Sequence, residues 1–258
     1  MLDIVKKEDV DWAFPYYAPF KKEAAKYIYQ VNYDYKAEQG TNVHNYLVKL
    51  GEANNAENKD NRYLCYASWI GTGIVWRIHP AEEDFNPDIV LDDKDILKKH
   101  FGEEGEKLYK DFRDSLTMED KKLLKLVPDF SNLENVEVKE DKPFEVIYYV
   151  KISLMKSYKE IESAVKKVVK SANQNHKNLK WVVYKEMADD NTLYLYVASR
   201  NFAGLDYIKD IKEILLPEYS DECATSIKEE IYSNIKEYET TLITFTPSCD
   251  NSGCKFNE

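Results

Sequence analysis

The hydrophobic positions of this chain follow a pattern that occurs twice. Two apolar helical stripes and one strand of the first half return 118 or 119 positions later in the second half. Few residues are identical between the copies, so the repeat preserves the pattern of burial and not the side-chain chemistry. It predicts two structural units of about 115 to 120 residues. The matching segments are residues 43–50 with 161–168, 105–116 with 224–235, and 123–128 with 242–247.

Helical and alternating periodicities predict the order β-α-β-β-α-β in each half. The clearest strand is residues 26–36, where one face is tyrosine-rich and the other carries Ile28, Gln30, Asn32 and Asp34. This order is the ferredoxin-like split βαβ arrangement, which gives an antiparallel sheet with both helices on one face.

The repeat also suggests boundaries for the units. An aromatic-rich extension precedes the first ferredoxin-like repeat, a polar and acidic linker separates the repeats, and a short tail follows the second. We place these segments at residues 1–23 (extension), 24–130 (first repeat), 131–143 (linker), 144–248 (second repeat) and 249–258 (tail).

The second face of each predicted sheet mixes apolar and polar residues. In the second half this face holds Ile147 and Tyr149 beside Glu145 and Lys151. Such a face is too apolar to be exposed to water and too polar for a dry core. Packing the two sheets face to face buries both of these mixed faces. The sequence therefore predicts an α+β fold in which two tandem repeats close into one pseudo-dimeric barrel with some polar groups inside.

A known superfamily has this doubled element order. The glycine at Gly40 before the first helix, the Gly102 to Gly105 helix start, and the strands that end at Pro128 and Pro247 resemble the dimeric α+β barrel superfamily. Within it, the chain is similar to tandem-repeat members akin to antibiotic-biosynthesis-monooxygenase-like and NIPSNAP-like domains. The resemblance covers roughly residues 24–250 and includes no motif specific to one activity. It implies a fold shared by cofactor-free monooxygenases, haem-handling enzymes and isomerases, and no single reaction.

Charge and hydropathy restrict the partners. The net charge of -11 and a pI near 5.1 would repel a phosphate backbone, so we expect no nucleic-acid partner. No stretch of about 18 apolar residues predicts a transmembrane segment. The cytoplasm is the default expectation, and an exported protein whose signal had been removed would look the same. Homo-oligomer formation is left open.

One polar cluster is expected inside the barrel. We expect the third strand to turn Arg77 and His79 inward and Trp76 and Ile78 toward the helices. The first strand lies beside the third in this topology, so Asp34 should neighbour His79. A carboxylate beside an imidazole can bring the histidine pKa into a range useful for proton transfer. His79 and Asp34 are therefore the candidate catalytic pair, although a salt-bridged, water-filled barrel mouth would show the same pattern.

Further residues of the same predicted interior are candidate ligand contacts. Amide and guanidinium groups can orient an acidic or phenolic ligand, and tyrosine rings can form the wall of a pocket. Tyrosine is also a common strand residue, so a filled core would show the same sequence pattern as a ligand pocket. The candidate ligand-binding residues are Gln30, Asn32, Arg77, Tyr149, Tyr194 and Tyr196.

No motif points to a metal or a cofactor. The histidines lack the paired spacing of zinc sites, and the acidic segment 82–95 lacks the glycine and ligand order of a calcium loop. We expect that segment to be a solvated loop with a helix N-cap. Cys65 and Cys223 are expected to be buried thiols, whereas Cys249 and Cys254 in the tail could close a disulfide loop or bind a metal.

Three functions remain compatible with the sequence. The first is a protein that holds a small, partly aromatic molecule between its two sheets. The second is a cofactor-independent, monooxygenase-like enzyme in which His79 and Asp34 assist deprotonation of a phenolic substrate. The third is a non-catalytic interaction protein with a filled barrel. A cavity of at least ~300 Å³ with converging polar groups would favour the first two.

Overall fold

A computed structural model describes residues 26–57, 63–68, 73–81, 92–132, 146–176, 179, 181–199 and 209–246. The N-terminal extension, most of the linker, the greater part of the acidic segment, and the Cys249 and Cys254 pair lie outside these residues. We call residues 26–132 the first half and residues 146–246 the second half.

The described residues form eight strands and six helices. The strands are β1 (Tyr27–Tyr35), β2 (Leu64–Ser68), β3 (Gly73–Ala81), β4 (Leu116–Leu126), β5 (Val146–Leu154), β6 (Trp181–Glu186), β7 (Thr192–Ser199) and β8 (Ile235–Phe245). The helices are α1 (Gly40–Glu57), α2 (Asp93–Phe101), α3 (Glu103–Ser115), α4 (Glu162–Asn175), α5 (Ile211–Leu215) and α6 (Asp221–Tyr232).

The strands close into one antiparallel barrel. Their order around it is β1-β3-β2-β8-β5-β7-β6-β4, and β4 pairs with β1 to complete the ring. Two short ladders join the halves: Tyr66 and Ala67 of β2 pair with β8, and residues 124–126 of β4 pair with β6. The prediction of an α+β fold whose sheets close into a single barrel is confirmed.

Corresponding strands of the two halves are separated by the same number of residues as the repeated hydrophobic pattern. β5 begins 119 residues after β1, and β8 begins 119 residues after β4. Both β1 and β5 contain 9 residues, and both β4 and β8 contain 11. The irregularity between Asp34 and Tyr35 in the β1–β4 ladder returns between Ser153 and Leu154 in the β5–β8 ladder.

The buried residues form three clusters that the alternation of the strands separates. One cluster fills the barrel interior and includes Ile28, Trp76, Tyr149, Tyr196 and Ile243. The other two lie outside the barrel wall, one in each half, between the sheet and its helices. Each strand thus contributes alternate side chains to the barrel interior and to a helix-covered layer.

Two predicted boundaries are wrong. The hydrophobic pattern of the first half places one continuous second helix near residues 95–116, but this segment is divided into α2 and α3 at Gly102, whose φ of 64° few other residues adopt. A side chain at Gly105 would overlap the carbonyl of Leu97, so this glycine lets the two helices pack closely. Leu116 and Ile235, which continued the helical stripes, are instead the first residues of β4 and β8.

No helix within the described ranges is both long and apolar enough to cross a membrane.

Candidate functional site

The barrel interior contains a layer of aromatic rings. Trp76 and Tyr149 meet nearly edge to face, with ring centroids 4.4 Å apart. Tyr196 contacts Tyr149 at 5.2 Å and Tyr184 at 5.8 Å. Edge-to-face pairs at these distances are attractive, so the rings stabilise one another while they occupy the middle of the barrel.

Gln30 connects several of the predicted ligand-binding residues. It is completely buried, because β1 turns it inward between Ile28 and Asn32. Its side-chain oxygen accepts a hydrogen bond from the Tyr196 hydroxyl, and its nitrogen donates to Asn32 Oδ1 at 2.8 Å. Burial raises the pKa of Tyr149, and a hydrogen bond with Gln30 partly offsets this effect. The structure thus brings Gln30, Asn32, Tyr149 and Tyr196 together.

The barrel becomes charged toward the end where β1 finishes. Tyr194 points inward there and its hydroxyl donates to Glu186. Burial raises the pKa of Asp34, which lies at the same end. Lys122 also faces inward, because it pairs with Gln30 across the β1–β4 ladder. Sequence reasoning missed Lys122, since only the register between β1 and β4 reveals which way it points.

Arg77 and His79 do not face the barrel interior, so their predicted orientation is wrong. Trp76 and Ile78 point inward, and the alternation of β3 therefore turns Arg77 and His79 toward the helices. The register pairs His79 with Tyr29 on that outer face, where its ring lies 5.2 Å from the ring of Tyr63. Asp34 is on the opposite face of the sheet. The structure consequently does not bring the proposed catalytic pair, His79 and Asp34, together.

Arg77 instead forms a buried ion pair beneath the helices of the first half. Its guanidinium donates two hydrogen bonds to Asp93, at 3.2 and 2.7 Å, and a third to the Tyr33 hydroxyl. The Tyr46 hydroxyl also donates to Asp93, at 2.8 Å. The Tyr46 ring stacks on Phe112 with centroids 3.6 Å apart. The bidentate geometry makes these hydrogen bonds strong and fixes the start of α2 on the sheet.

We expected the acidic segment 82–95 to be a solvated loop with a helix N-cap; this is correct for the N-cap Asp92 and wrong for Asp93. Asp92 is the N-cap of α2, and its side chain accepts a hydrogen bond from the Asp95 amide at 3.1 Å. Asp93 is not solvated, since it is 7% exposed and paired with Arg77. Burial alone would lower the pKa of Arg77, and Asp93 together with Tyr33 and Tyr46 more than reverses that effect.

A cavity of about 400 Å³ lies in the equivalent layer of the second half. It is bounded by the outer face of the β5–β8 sheet and by α4, α5 and α6, and its walls are almost entirely apolar. Tyr232 and Tyr238 border it and are 44% and 64% exposed. Lys209, also exposed, borders it as well.

The cavity occupies the place that the buried network fills in the first half. The ladders show this correspondence: Val31 pairs with Arg77, and Val150, 119 residues later, pairs with Leu195. Four members of the first-half network thus have smaller or apolar equivalents, all of which line the cavity. The pairs are Tyr33 with Ile152, Arg77 with Leu195, Asp93 with Ile211, and Phe112 with Ile231.

The cysteines and acidic residues do not form a metal centre in the described part of the chain. No group of three or more His, Cys, Asp or Glu side chains there is arranged to hold a metal ion. Cys65 is buried as expected, but Cys223 is exposed because it lies on the outer face of α6.

Solved structures that resemble this one include the following two. A putative monooxygenase from Fusobacterium nucleatum subsp. nucleatum has a TM-score of 0.50 and 8% identity, with 86% of this chain and 94% of that chain covered. A putative chlorite dismutase has a TM-score of 0.50 and 12% identity, with 88% and 98% covered. No protein-family model and no curated protein matches the sequence. At such low identity the likeness concerns the fold alone.

Removing one partner of the Arg77–Asp93 pair should cost far more stability than removing both. Asp93→Leu leaves a buried, uncompensated guanidinium, which typically costs about 3–5 kcal/mol. The double variant Arg77→Met, Asp93→Leu removes both charges and should recover most of that loss. Urea unfolding of Arg77→Met, of Asp93→Leu and of the double variant measures the coupling. Independent, additive losses would contradict the network described here.

The barrel tyrosines should make the fold sensitive to alkali. Burial raises the pKa of Tyr184 and Tyr196 well above the ordinary value of 10.0. Unfolded tyrosines ionise near that value, so the stability contributed by the neutral rings is complete below it and is lost as the pH rises above it. Absorbance at 295 nm should show these tyrosines ionising together with the loss of near-ultraviolet circular dichroism. Exposed tyrosines such as Tyr232 and Tyr238 can ionise earlier; ionisation of every tyrosine near pH 10.0 while the circular dichroism is unchanged would contradict the burial of Tyr184 and Tyr196.

Proposed function

We propose that this protein binds a small, largely apolar aromatic molecule in the cavity of the second half. The observation that carries the proposal is the contrast between the halves: one buries the Arg77–Asp93 network in the layer between sheet and helices, and the other leaves about 400 Å³ there. That volume falls in the usual range of small-molecule sites. An unfilled apolar cavity also costs packing energy, which a bound ligand would restore.

The cavity walls favour an aromatic ligand with a polar end. Phe130, Tyr148 and Trp181 line it beside aliphatic side chains and can stack on a flat ring. The polar groups, Lys209 and the hydroxyls of Tyr232 and Tyr238, belong to residues that border the cavity and are exposed to solvent. An apolar body would therefore be buried while a hydroxyl or carboxylate remained near the opening.

This location differs from the one expected from the sequence. The barrel interior between the two sheets contains the rings of Trp76, Tyr149 and Tyr196, in contact with one another. A ligand there would have to displace those rings and break the hydrogen bond between Tyr196 and Gln30. The helix-covered cavity needs no such rearrangement, which is why we prefer it.

We also propose that the halves are tandem ferredoxin-like repeats, with boundaries at residues 24–130 and 144–248. In each half the strands lie in the order fourth, first, third, second, as this arrangement requires. The 119-residue spacing of β1 with β5 and of β4 with β8 supports the same division. On this view one ligand site was retained and its counterpart was closed by the Arg77–Asp93 network.

A second candidate function is monooxygenase-like oxidation of a phenolic ligand in the same cavity. The name of the Fusobacterium structure favours it, although only the fold is shared. His79 and Asp34 cannot act as one catalytic pair, because they occupy opposite faces of the sheet. An enzyme would therefore need a proton acceptor at the cavity opening.

A bulky side chain at the cavity should weaken binding. Ile235→Trp fills part of the volume, so we expect the affinity for a fluorescent apolar probe such as anilinonaphthalene sulfonate to fall about tenfold, or 1.4 kcal/mol. Leu116→Trp is the matched control, because Leu116 is the equivalent first residue of β4 and packs in the first half. Fluorescence titration of both variants measures the difference. Equal affinities in the two variants would place the probe elsewhere.

The enzymatic candidate makes a separate prediction. If the cavity oxidises phenols, the protein should consume oxygen with a simple hydroquinone, and Ile235→Trp should remove that activity while Leu116→Trp keeps it. An oxygen electrode measures both rates. Probe binding without oxygen consumption above the protein-free rate would leave the binding function and eliminate the oxidation.

A further inference from the structure

The border of the second-half cavity carries a positive charge. Lys209, Tyr232 and Tyr238 line the cavity and are exposed to solvent, so the cavity reaches the surface of the protein beside them. Among the described residues that line it, Lys209 alone has a charged side chain. A ligand that extends from the apolar interior to this border would therefore end near an ammonium group.

The lysines that follow Lys209 in the same region are already paired within the protein. Lys228 on α6 contacts both carboxylate oxygens of Asp210, at 3.0 and 2.8 Å. Lys212 on α5 contacts Asp221 at 2.8 Å. Lys209 forms no ion pair or hydrogen bond with any residue that the structure describes. Its charge is thus available to a ligand, whereas the charges of the other two lysines are balanced.

Comparison of the halves shows what is missing beside Lys209. In the first half, the layer between sheet and helices contains both members of an ion pair, Arg77 and Asp93. The second half has Leu195 and Ile211 at these positions, and both line the cavity. Its cation, Lys209, instead lies at the border, two residues before Ile211. An anionic group on a ligand would supply there the counter-charge that Asp93 supplies to Arg77.

We propose that the ligand of this cavity is an amphiphilic monoanion, an aromatic molecule with one carboxylate that pairs with Lys209. This inference rests on the binding function proposed above and names the class of ligand. The hydroxyls of Tyr232 and Tyr238 can donate further hydrogen bonds to the carboxylate. A second negative charge would meet apolar walls without a partner, which is costly. The site therefore favours a single carboxylate over a polyanion.

The charge sets a preference, and the apolar walls supply most of the affinity. Because Lys209 is exposed, its pair with a carboxylate is screened by water and salt. Exposed ion pairs of this kind typically change an equilibrium constant about twofold to fivefold. The expected signature is therefore a modest, salt-sensitive discrimination between an anion and a neutral molecule of the same shape.

Competition between two such molecules tests this proposal. Naphthoate and naphthamide share a ring system and differ mainly in charge, and each is titrated against the neutral fluorescent probe phenylnaphthylamine bound to the full chain. Lys209→Met keeps the apolar part of the side chain, so the affinity for naphthoate should fall about twofold to fivefold while those for naphthamide and the probe stay unchanged. Lys209→Arg keeps the charge and should retain the affinity for naphthoate.

Lys212→Met is the matched control, because Lys212 lies on α5 but is paired with Asp221 and does not line the cavity. It should leave the affinity for naphthoate unchanged. The proposal is overturned if Lys209→Met weakens neither competitor or both equally, or if Lys212→Met weakens naphthoate as much. Failure of the binding function looks different, since binding of the neutral probe would then be insensitive to Ile235→Trp whatever residue stands at 209.

Discussion

Closure of the barrel is the constraint on which the rest of the structure depends. The two ladders between the halves are short, residues 124–126 of β4 with β6 and two residues of β2 with β8. Once they form, every strand has one face inside the barrel and one face under the helices. Because side chains alternate along a strand, this choice places each functional group: Gln30 and Lys122 inside, Arg77 and His79 outside.

The two halves place different side chains in the same layer of the fold. Each must fill the layer between a four-stranded sheet and its helices. The first half does so with a bidentate ion pair, two tyrosine hydroxyls and the stacked rings of Tyr46 and Phe112. The second half carries aliphatic side chains at the matching positions and retains a cavity. The first half therefore buries a polar network in this layer, whereas the second half retains open volume there.

The sequence predicted the parts of the fold that rest on clear periodicity. The alternation of β1 is unambiguous, because tyrosines and Val31 occupy one face, whereas Ile28 and three polar residues occupy the other, which the pattern correctly predicts to face inward. β3 carries apolar residues on both faces, so its alternation does not say which side is inside. The prediction that Arg77 and His79 face the barrel interior is therefore wrong by one position, and an error of one position exchanges the two faces of the whole strand.

Other features required information that a linear pattern does not contain. The partner of Arg77 is 16 residues away in the sequence, and only the fold shows that Asp93 reaches it. The cavity does have a sequence signal, which is a loss of side-chain volume between the halves: large residues such as Tyr33 and Phe112 align with Ile152 and Ile231.

The most direct test of closure is a nuclear Overhauser experiment on the backbone protons of the two ladders between the halves. The account predicts cross-strand contacts between Lys125 and Lys185 and between Ala67 and Thr244, as strong as those within each half. Intact ladders within each half without either of these contacts would contradict it, because the sheets would then be separate and the inward faces exposed.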